Sequence, residues 1–427
     1  MSLREVVAAA PVANPAHASG NVRFLGQDGT YWRLLGRGAL LLVLTLGIYR
    51  FWLATDVRRF LWGDTEIAGD HLEYTGTAIE LLIGFLIAIA ILLPINIILF
   101  LIALDLEWIG QLSGVIAFGL LALLGQFAIY RARRYRLSRT VFRGMRFHQT
   151  GSAWIFALYA LMWWTLTVLT LGLVYPWMQQ SLERFKMRHT HYGDLTGHFE
   201  ASARALFLRG FPLWLFTIGP VFGGIAAATS VIDWPALAEA VNAGGSGLAE
   251  RIEATNPNYV TAIIFLIGVA IWSVVAAAAF YPAFQGMILR WWISGIRFGD
   301  LSVSSDLYIG HIYRAYARFL VYGLMFAGGC VIVASVGLTL AAPFRVKLNL
   351  MEADELIGAA IVILGYMILM LGFSTIYQAT VKLALWRVGM ESAEISGIAV
   401  LDRVKAGGRP ASAVGEGLAD ALNVGGF

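Results

Sequence analysis

The chain reads as an all-α polytopic membrane protein, and three observations carry that reading. Apolar stretches fall near 34–55, 78–104, 108–130, 151–177, 205–229, 259–285, 314–341 and 356–381. Hydrophobic residues make up 59% of the 427 residues, charged ones 14%, and the mean hydropathy is +0.71. Lys and Arg crowd into a few of the links between the stretches. Runs of about 20 apolar residues are what a bilayer-spanning helix needs.

The charge pattern selects a topology, because Lys and Arg accumulate in cytoplasmic loops. The link 131–150 carries seven arginines, from Arg131 to Arg146, and the link 178–204 carries Arg184, Lys186, Arg188 and Arg204. The links 105–107, 230–258 and 342–355 are poor in basic residues or dominated by acidic ones. If every segment crosses, 131–150 and 178–204 fall on opposite faces. If 34–55 and 151–177 enter and leave on one face, nearly all the basic links lie together. The expectation is therefore six spanning helices in three hairpins, 78–130, 205–285 and 314–381, plus two re-entrant or kinked apolar segments. The alternative is eight spanning helices. Both termini are then expected on the cytoplasmic side of a bacterial inner membrane.

Along the chain, residues 1–20 are rich in alanine and proline and read as a disordered tail without a signal-peptide core. The first apolar segment holds Gly47 in the phrase LTLGIYRFW, and the fourth holds Gly172 in LTLGLVYPW, with Pro176 close behind. Glycine inside a strongly apolar helix marks a break or a close helix contact. The two surroundings agree over about 60 residues. Trp52 and Trp177 precede Arg59-Phe60 and Arg184-Phe185 by the same interval, Thr65 matches Thr190, and Gly69 nearly matches Gly193. An internal repeat covering about 24–85 and 147–210 is expected within a membrane domain at 21–401, followed by a flexible tail at 402–427.

An arginine followed by an aromatic recurs at Arg59-Phe60, Arg134-Tyr135, Arg184-Phe185 and Arg290-Trp291, with an echo at Leu385-Trp386. At the inside end of an apolar helix, the aromatic suits the headgroup layer and the arginine reaches anionic headgroups. These pairs are the candidate lipid contacts, and they read first as structural girdles. Membrane lipids, anionic ones above all, are the expected partners, and a homo-oligomer is open.

The candidates for a solute pathway are Asn96, Glu80, Gly47 and Gly172. Asn96 sits mid-segment, where an unpaired amide is costly in hydrocarbon, and a hydrogen bond between helices is its plainer explanation. Glu80 stands near the start of the first hairpin, where helix capping is the simpler role. Broken helices at related positions are the usual pointer to a transport site, but the membrane segments lack the buried Asp, Glu or Lys of an ion-coupled pump.

His189, His191 and His198, with Asp194 and Glu200, form the densest titratable cluster and a weak metal candidate. No HExxH, nucleophile elbow or phosphate loop accompanies them. No catalytic residue and no cofactor are expected, and Cys330 reads as packing in an apolar helix. Nucleic-acid binding would need a separate basic domain, which is missing.

The phrase from Thr45 to Trp52, the start Phe24-Leu25-Gly26 and the run Tyr74-Thr75-Gly76-Thr77 into Glu80 resemble the YjgN family of bacterial inner-membrane proteins, a domain of unknown function. The resemblance covers about 22–400 and departs at Leu173, Val174 and Pro176 in the second copy. It implies an inner-membrane location and brings no substrate, cofactor or catalytic residue. The function expected is therefore structural, lipid-associated or in assembly, with a transporter or channel-like protein as the alternative.

Overall fold

The structure is a computed structural model that describes residues 19–105, 107–243, 247–348, 353–405, 407 and 420. Its first surprise is a closed antiparallel barrel of ten short strands. An order of strand, helices, strand recurs five times. The first unit is β1 (Ser19–Phe24), α1 (Asp28–Leu44), α2 (Arg50–Gly63) and β2 (Thr65–Ile67). The second is β3 (Asp70–Tyr74), α3 (Ala78–Asp105), α4 (Glu107–Arg139) and β4 (Thr140–Phe142). The third is β5 (Met145–Gln149), α5 (Ala153–Leu169), α6 (Tyr175–Arg188) and β6 (Thr190–Tyr192). The fourth is β7 (Leu195–Phe199), the helices α7 (Ala203–Ser230), α8 (Trp234–Asn242), α9 (Leu248–Thr255) and α10 (Tyr259–Ser294), then β8 (Ile296–Phe298). The fifth is β9 (Leu301–Ser305), α11 (Ile309–Leu348), α12 (Ala353–Tyr377), a π-helical turn at Gln378–Lys382, α13 (Leu383–Glu391) and β10 (Ala393–Ser396).

The all-α expectation is thus corrected. Strands β2 to β9 lie in the links between the apolar segments, and β1 and β10 flank the first and the last. Each pair of successive units is joined by a two-residue turn, with Ile67 opposite Asp70, Phe142 opposite Met145, Tyr192 opposite Leu195 and Phe298 opposite Leu301. At the first two turns both central residues have positive φ, Ala68 at 51° with Gly69 at 91° and Arg143 at 46° with Gly144 at 73°. That geometry matches the twist of a tight hairpin and needs glycine at one of its two positions. A lone hairpin of this length is marginal in water. Closure supplies the rest, because β10 pairs with β1 through Ser19 opposite Ser396, Gly20 opposite Ile395 and Asn21 opposite Glu394. A closed barrel leaves no unpaired edge.

Strand side chains alternate. Val22, Phe24, Leu72, Tyr74, Phe199, Leu301, Val303 and Ile395 are buried, while Asn21, Arg23, His71, Glu73, His198 and Glu394 are exposed. The rings of Phe147 on β5 and Phe298 on β8 lie 6.5 Å apart although two strands separate them. They meet across the interior, which also holds the Phe147–Tyr192 pair at 4.8 Å. The barrel is filled with aromatic and aliphatic side chains.

The six-span expectation is corrected as well. Among the described residues four helices are long and apolar enough to cross a membrane: Ala203–Ser230, Tyr259–Ser294, Ile309–Gly337 and Val362–Glu391. The hairpin 78–130 forms α3 and α4, of 28 and 33 residues, and is not among these four. The segments 34–55 and 151–177 each form a broken pair, α1 with α2 and α5 with α6. At 17 and 14 residues in both pairs, these helices fall short of the roughly 20 residues a span needs. Hydropathy averaged along a segment does not register such a break, because the turn is built from the same apolar residues as the helices.

By packing, residues Ser202–Leu289 form one compact unit and the rest of the chain another. In the smaller unit, Asp233 caps α8 by accepting from the Ala236 amide at 3.2 Å, and its own amide donates to Asn256 Oδ1 at 2.7 Å. In the larger unit, Tyr130, Phe156, Ala160, Met178 and Leu182 join α4, α5 and α6, and Phe51, Ala78, Leu81 and Tyr135 join α2, α3 and α4. Each large apolar side chain so buried stabilises by about 1.5–3 kcal/mol. A 3-10 turn over Ile398–Arg403 lies against the hairpin turns, with Asp402 paired to Arg143 at 3.0 Å and the Lys405 amide donating to Asp194 at 3.0 Å.

Candidate functional site

The site grows from one position in the helix that precedes each returning strand. Arg59, Arg134, Arg184, Arg290 and Arg387 each stand six residues before the first residue of β2, β4, β6, β8 and β10. One and a half helical turns above the strand, the side chain is placed to reach the neighbouring unit. Arg59 donates to the Gly76 carbonyl at 3.2 Å, Arg134 to Thr150 at 3.3 Å and to Gly151, Arg184 to Phe199 at 3.4 Å, and Arg290 to Ser305 at 3.2 Å. Arg387 donates to the Gly26 carbonyl at 2.8 Å and pairs with Asp28 at 2.6 Å, so the fifth unit is fastened to the first. A charged donor on a carbonyl is among the stronger hydrogen bonds. Together the five arginines form a ring of staples around the barrel.

Four of these are the arginines singled out as lipid contacts. Arg59, Arg184 and Arg290 are exposed, so their remaining guanidinium donors reach the surface. Of their aromatic partners, Tyr135 and Trp291 are buried in protein, and Phe60 and Phe185 are half-buried. Arg387 escapes the phrase because the echo aligns on Leu385-Trp386, two residues away from the spacing that matters. Counting six residues back from the strand would have found it.

Inside the ring lies a charged neck. Arg58, one residue before the first staple, is buried and makes a bidentate pair with Asp420 at 2.5 and 3.0 Å and a hydrogen bond to the Tyr74 hydroxyl at 3.0 Å. Burial works against the Arg58 charge, and Asp420 and Tyr74 more than offset it. Arg136 approaches the same carboxylate at 3.7 Å. The equivalent of Arg58 in the second unit, Arg133, donates to Thr190 at 2.8 Å and Gln149 at 3.2 Å, residues that face each other across β5 and β6. In the third unit the position is Glu183, which pairs with Lys186 and accepts from the Trp292 indole at 3.0 Å. Burial pushes the Glu183 carboxyl up, but Lys186 and Arg133 outweigh it and hold the group below the usual carboxylate range. The indoles of Trp62 and Trp386 donate to Thr140 at 3.0 Å and Thr65 at 3.1 Å, and their rings lie 4.8 Å apart.

The other candidates fall elsewhere. Gly47 and Gly172 sit at the two helix breaks with φ of 90° and 89°, each preceded by a leucine at positive φ, and Leu46 and Leu171 there are exposed. Glu80 accepts from the Tyr135 hydroxyl at 2.6 Å and from Arg139 at 2.9 Å, tying the start of α3 to the end of α4. The side chain of Asn96 lies outside the described residues. His189 Nδ1 bonds the Phe185 carbonyl at 2.7 Å, His191 meets Thr150 and Thr196 at 3.1 Å, and His198 is paired with the Gly197 carbonyl. Among the described residues no group of three or more His, Cys, Asp or Glu converges as a metal site.

His191 does stack on His148 across β5 and β6 at 4.9 Å. Burial depresses the pKa of both rings, and His148 and His189 depress that of His191 further. Two depressed histidines make the fold less stable in acid, since below about pH 6.5 the unfolded chain binds protons more readily than the folded one. Stability present above that pH should decline as pH falls through the folded values. Thermal unfolding between pH 7.5 and 5 should show the decline, and a His148→Gln, His191→Gln variant should flatten it. An equal slope in both proteins would remove the pair from the account.

The sequence profile of a family described as bacterial protein of unknown function, DUF898, matches residues 19–421. No curated protein and no solved structure matches the chain.

Proposed function

We propose that this chain, which belongs to the bacterial family of unknown function DUF898, commonly called YjgN, is a structural, lipid-associated protein of the inner membrane. Its barrel is a hub that fastens helices at the cytoplasmic face of the bilayer. The observation that carries this reading is the arginine ring closed by Arg387 on Gly26 around a barrel filled with side chains. The basic links that belong to the hub favour the cytoplasmic side. The exposed staple arginines have donors left for anionic headgroups, each worth about 1 kcal/mol near the surface. The repeat read in two copies of the sequence extends, on this view, to all five units, each ending in one staple.

Arg387→Gln removes the closing staple and its half-exposed ion pair. The expected cost is about 1–2 kcal/mol, which would raise hydrogen exchange of the amides in β1 and β10 roughly 5–30-fold. Exchange confined to the wild-type pattern would argue against the hub. The second reading, a gated passage, is favoured by the buried charges of Arg58, Arg136 and Asp420 at the neck. Anion flux through vesicles holding the wild-type protein, altered by Arg58→Gln, would put that reading first.

A further inference from the structure

On the larger unit, α11 and α13 enclose a groove of about 580 Å³. Its walls carry His311, Arg314 and Arg318 from α11 and Arg387 and Glu391 from α13, over a floor that includes Ala317 and Ala384. Arg314 and Arg318 are four residues apart and therefore share a helix face. Both are exposed, and among the described residues neither is paired with a carboxylate. Arg387, by contrast, is engaged by Gly26 and Asp28.

Where the groove lies along α11 decides what it can hold. Just beyond Arg318 the exposed surface of the helix turns apolar, with Leu320, Val321, Leu324 and Met325 between 53% and 70% exposed. Before Arg314 the helix begins beside the barrel strand β9. The two arginines thus stand in the first turns of the candidate span Ile309–Gly337, just before its exposed surface turns apolar. A ligand there must offer an anionic oxygen cluster at one end and a hydrocarbon body at the other. A guanidinium pair suits phosphate, which each can bind through two parallel N–H donors.

We infer that this groove binds the phosphodiester headgroup of an anionic phospholipid, with Arg314 and Arg318 on the phosphate, His311 beside them, and the acyl chains along Leu320, Leu324 and Met325. Glu391 bounds the far end and can accept from a hydroxyl on the headgroup. The inference rests on the membrane placement in the proposed function but not on the staple ring, so the two fail separately.

The test uses the full chain in phosphatidylcholine nanodiscs and phosphatidylglycerol as the probe, with bound probe counted by native mass spectrometry. The wild type should retain phosphatidylglycerol over phosphatidylcholine, and Arg314→Gln with Arg318→Gln should weaken retention roughly tenfold to thirtyfold, about 1 kcal/mol per arginine. The lysine pair, Arg314→Lys with Arg318→Lys, should fall between, since charge remains and the fork is lost. Equal retention by wild type and the glutamine pair, with unfolding temperatures unchanged, overturns the groove. Displacement of the lipid by millimolar inorganic phosphate also overturns it, since the site would then be one for soluble phosphate. Failure of the Arg387→Gln exchange test leaves this result standing, and the reverse holds too.

Discussion

Asp420→Ala is expected to lower stability by about 3–5 kcal/mol, because it leaves a buried guanidinium without its countercharge. The carboxylate is fully buried, Arg58 is 6% exposed and Arg136 is 12% exposed, so water cannot take its place without opening the neck. Arg58→Ala should cost less, because Arg136 still stands 3.7 Å from the buried carboxylate. Replacing the three together, Arg58→Met, Arg136→Met and Asp420→Leu, removes the desolvation penalty along with the attraction and should recover most of the loss. Thermal unfolding of the detergent-solubilised protein measures all three. Single variants that unfold with the wild type, or a triple variant worse than either, would mean that the contact is peripheral.

Trp62→Ala should cost about 3–5 kcal/mol, the usual range for emptying a buried aromatic site. The side chain does more than fill volume. Its indole donates to Thr140 at the start of β4, and its ring packs 4.8 Å from Trp386 and 5.8 Å from Tyr74. One residue therefore links the first, second and fifth units. Amide exchange should rise in β4 and β10 together with the end of α2, although neither strand adjoins Trp62 in sequence. Trp62→Phe keeps the ring and loses one hydrogen bond, so its cost should be nearer 1 kcal/mol. Exchange that rises in α2 alone would show that the units are not coupled through this side chain.

Both experiments concern contacts that are remote in sequence, and the line between what could and could not be read falls there. The Arg-aromatic phrases and the glycine four residues beyond Thr65 were visible, and they mark the staples and the first hairpin turn. Their purpose was not visible. Strands of three to six residues are too short for alternation to stand out, and Thr190 to Tyr192 next to His189 reads equally well as a polar loop. The neck was invisible for a related reason. Arg133 sits among seven arginines that look alike in a list, and only its neighbours Gln149 and Thr190 distinguish it from those that face water. Glu183 carried no sign that it would be buried, and Asp420 lies in a stretch of small and polar residues that reads as tail.

By itself the sequence determined that the chain is rich in membrane-type helix, that Gly47 and Gly172 mark either a helix break or a close helix contact, and that arginine recurs at helix ends. These are local properties, set by hydropathy over one segment or by the φ a single residue tolerates. The tertiary structure alone decided that the basic links form strands, that β1 closes on β10, and that Arg387 rather than Leu385 completes the ring. The hairpins across the two-residue turns are local, but closure depends on β1 meeting β10 from the far end of the chain, and each hairpin gains its remaining hydrogen bonds from strands that the local sequence does not name.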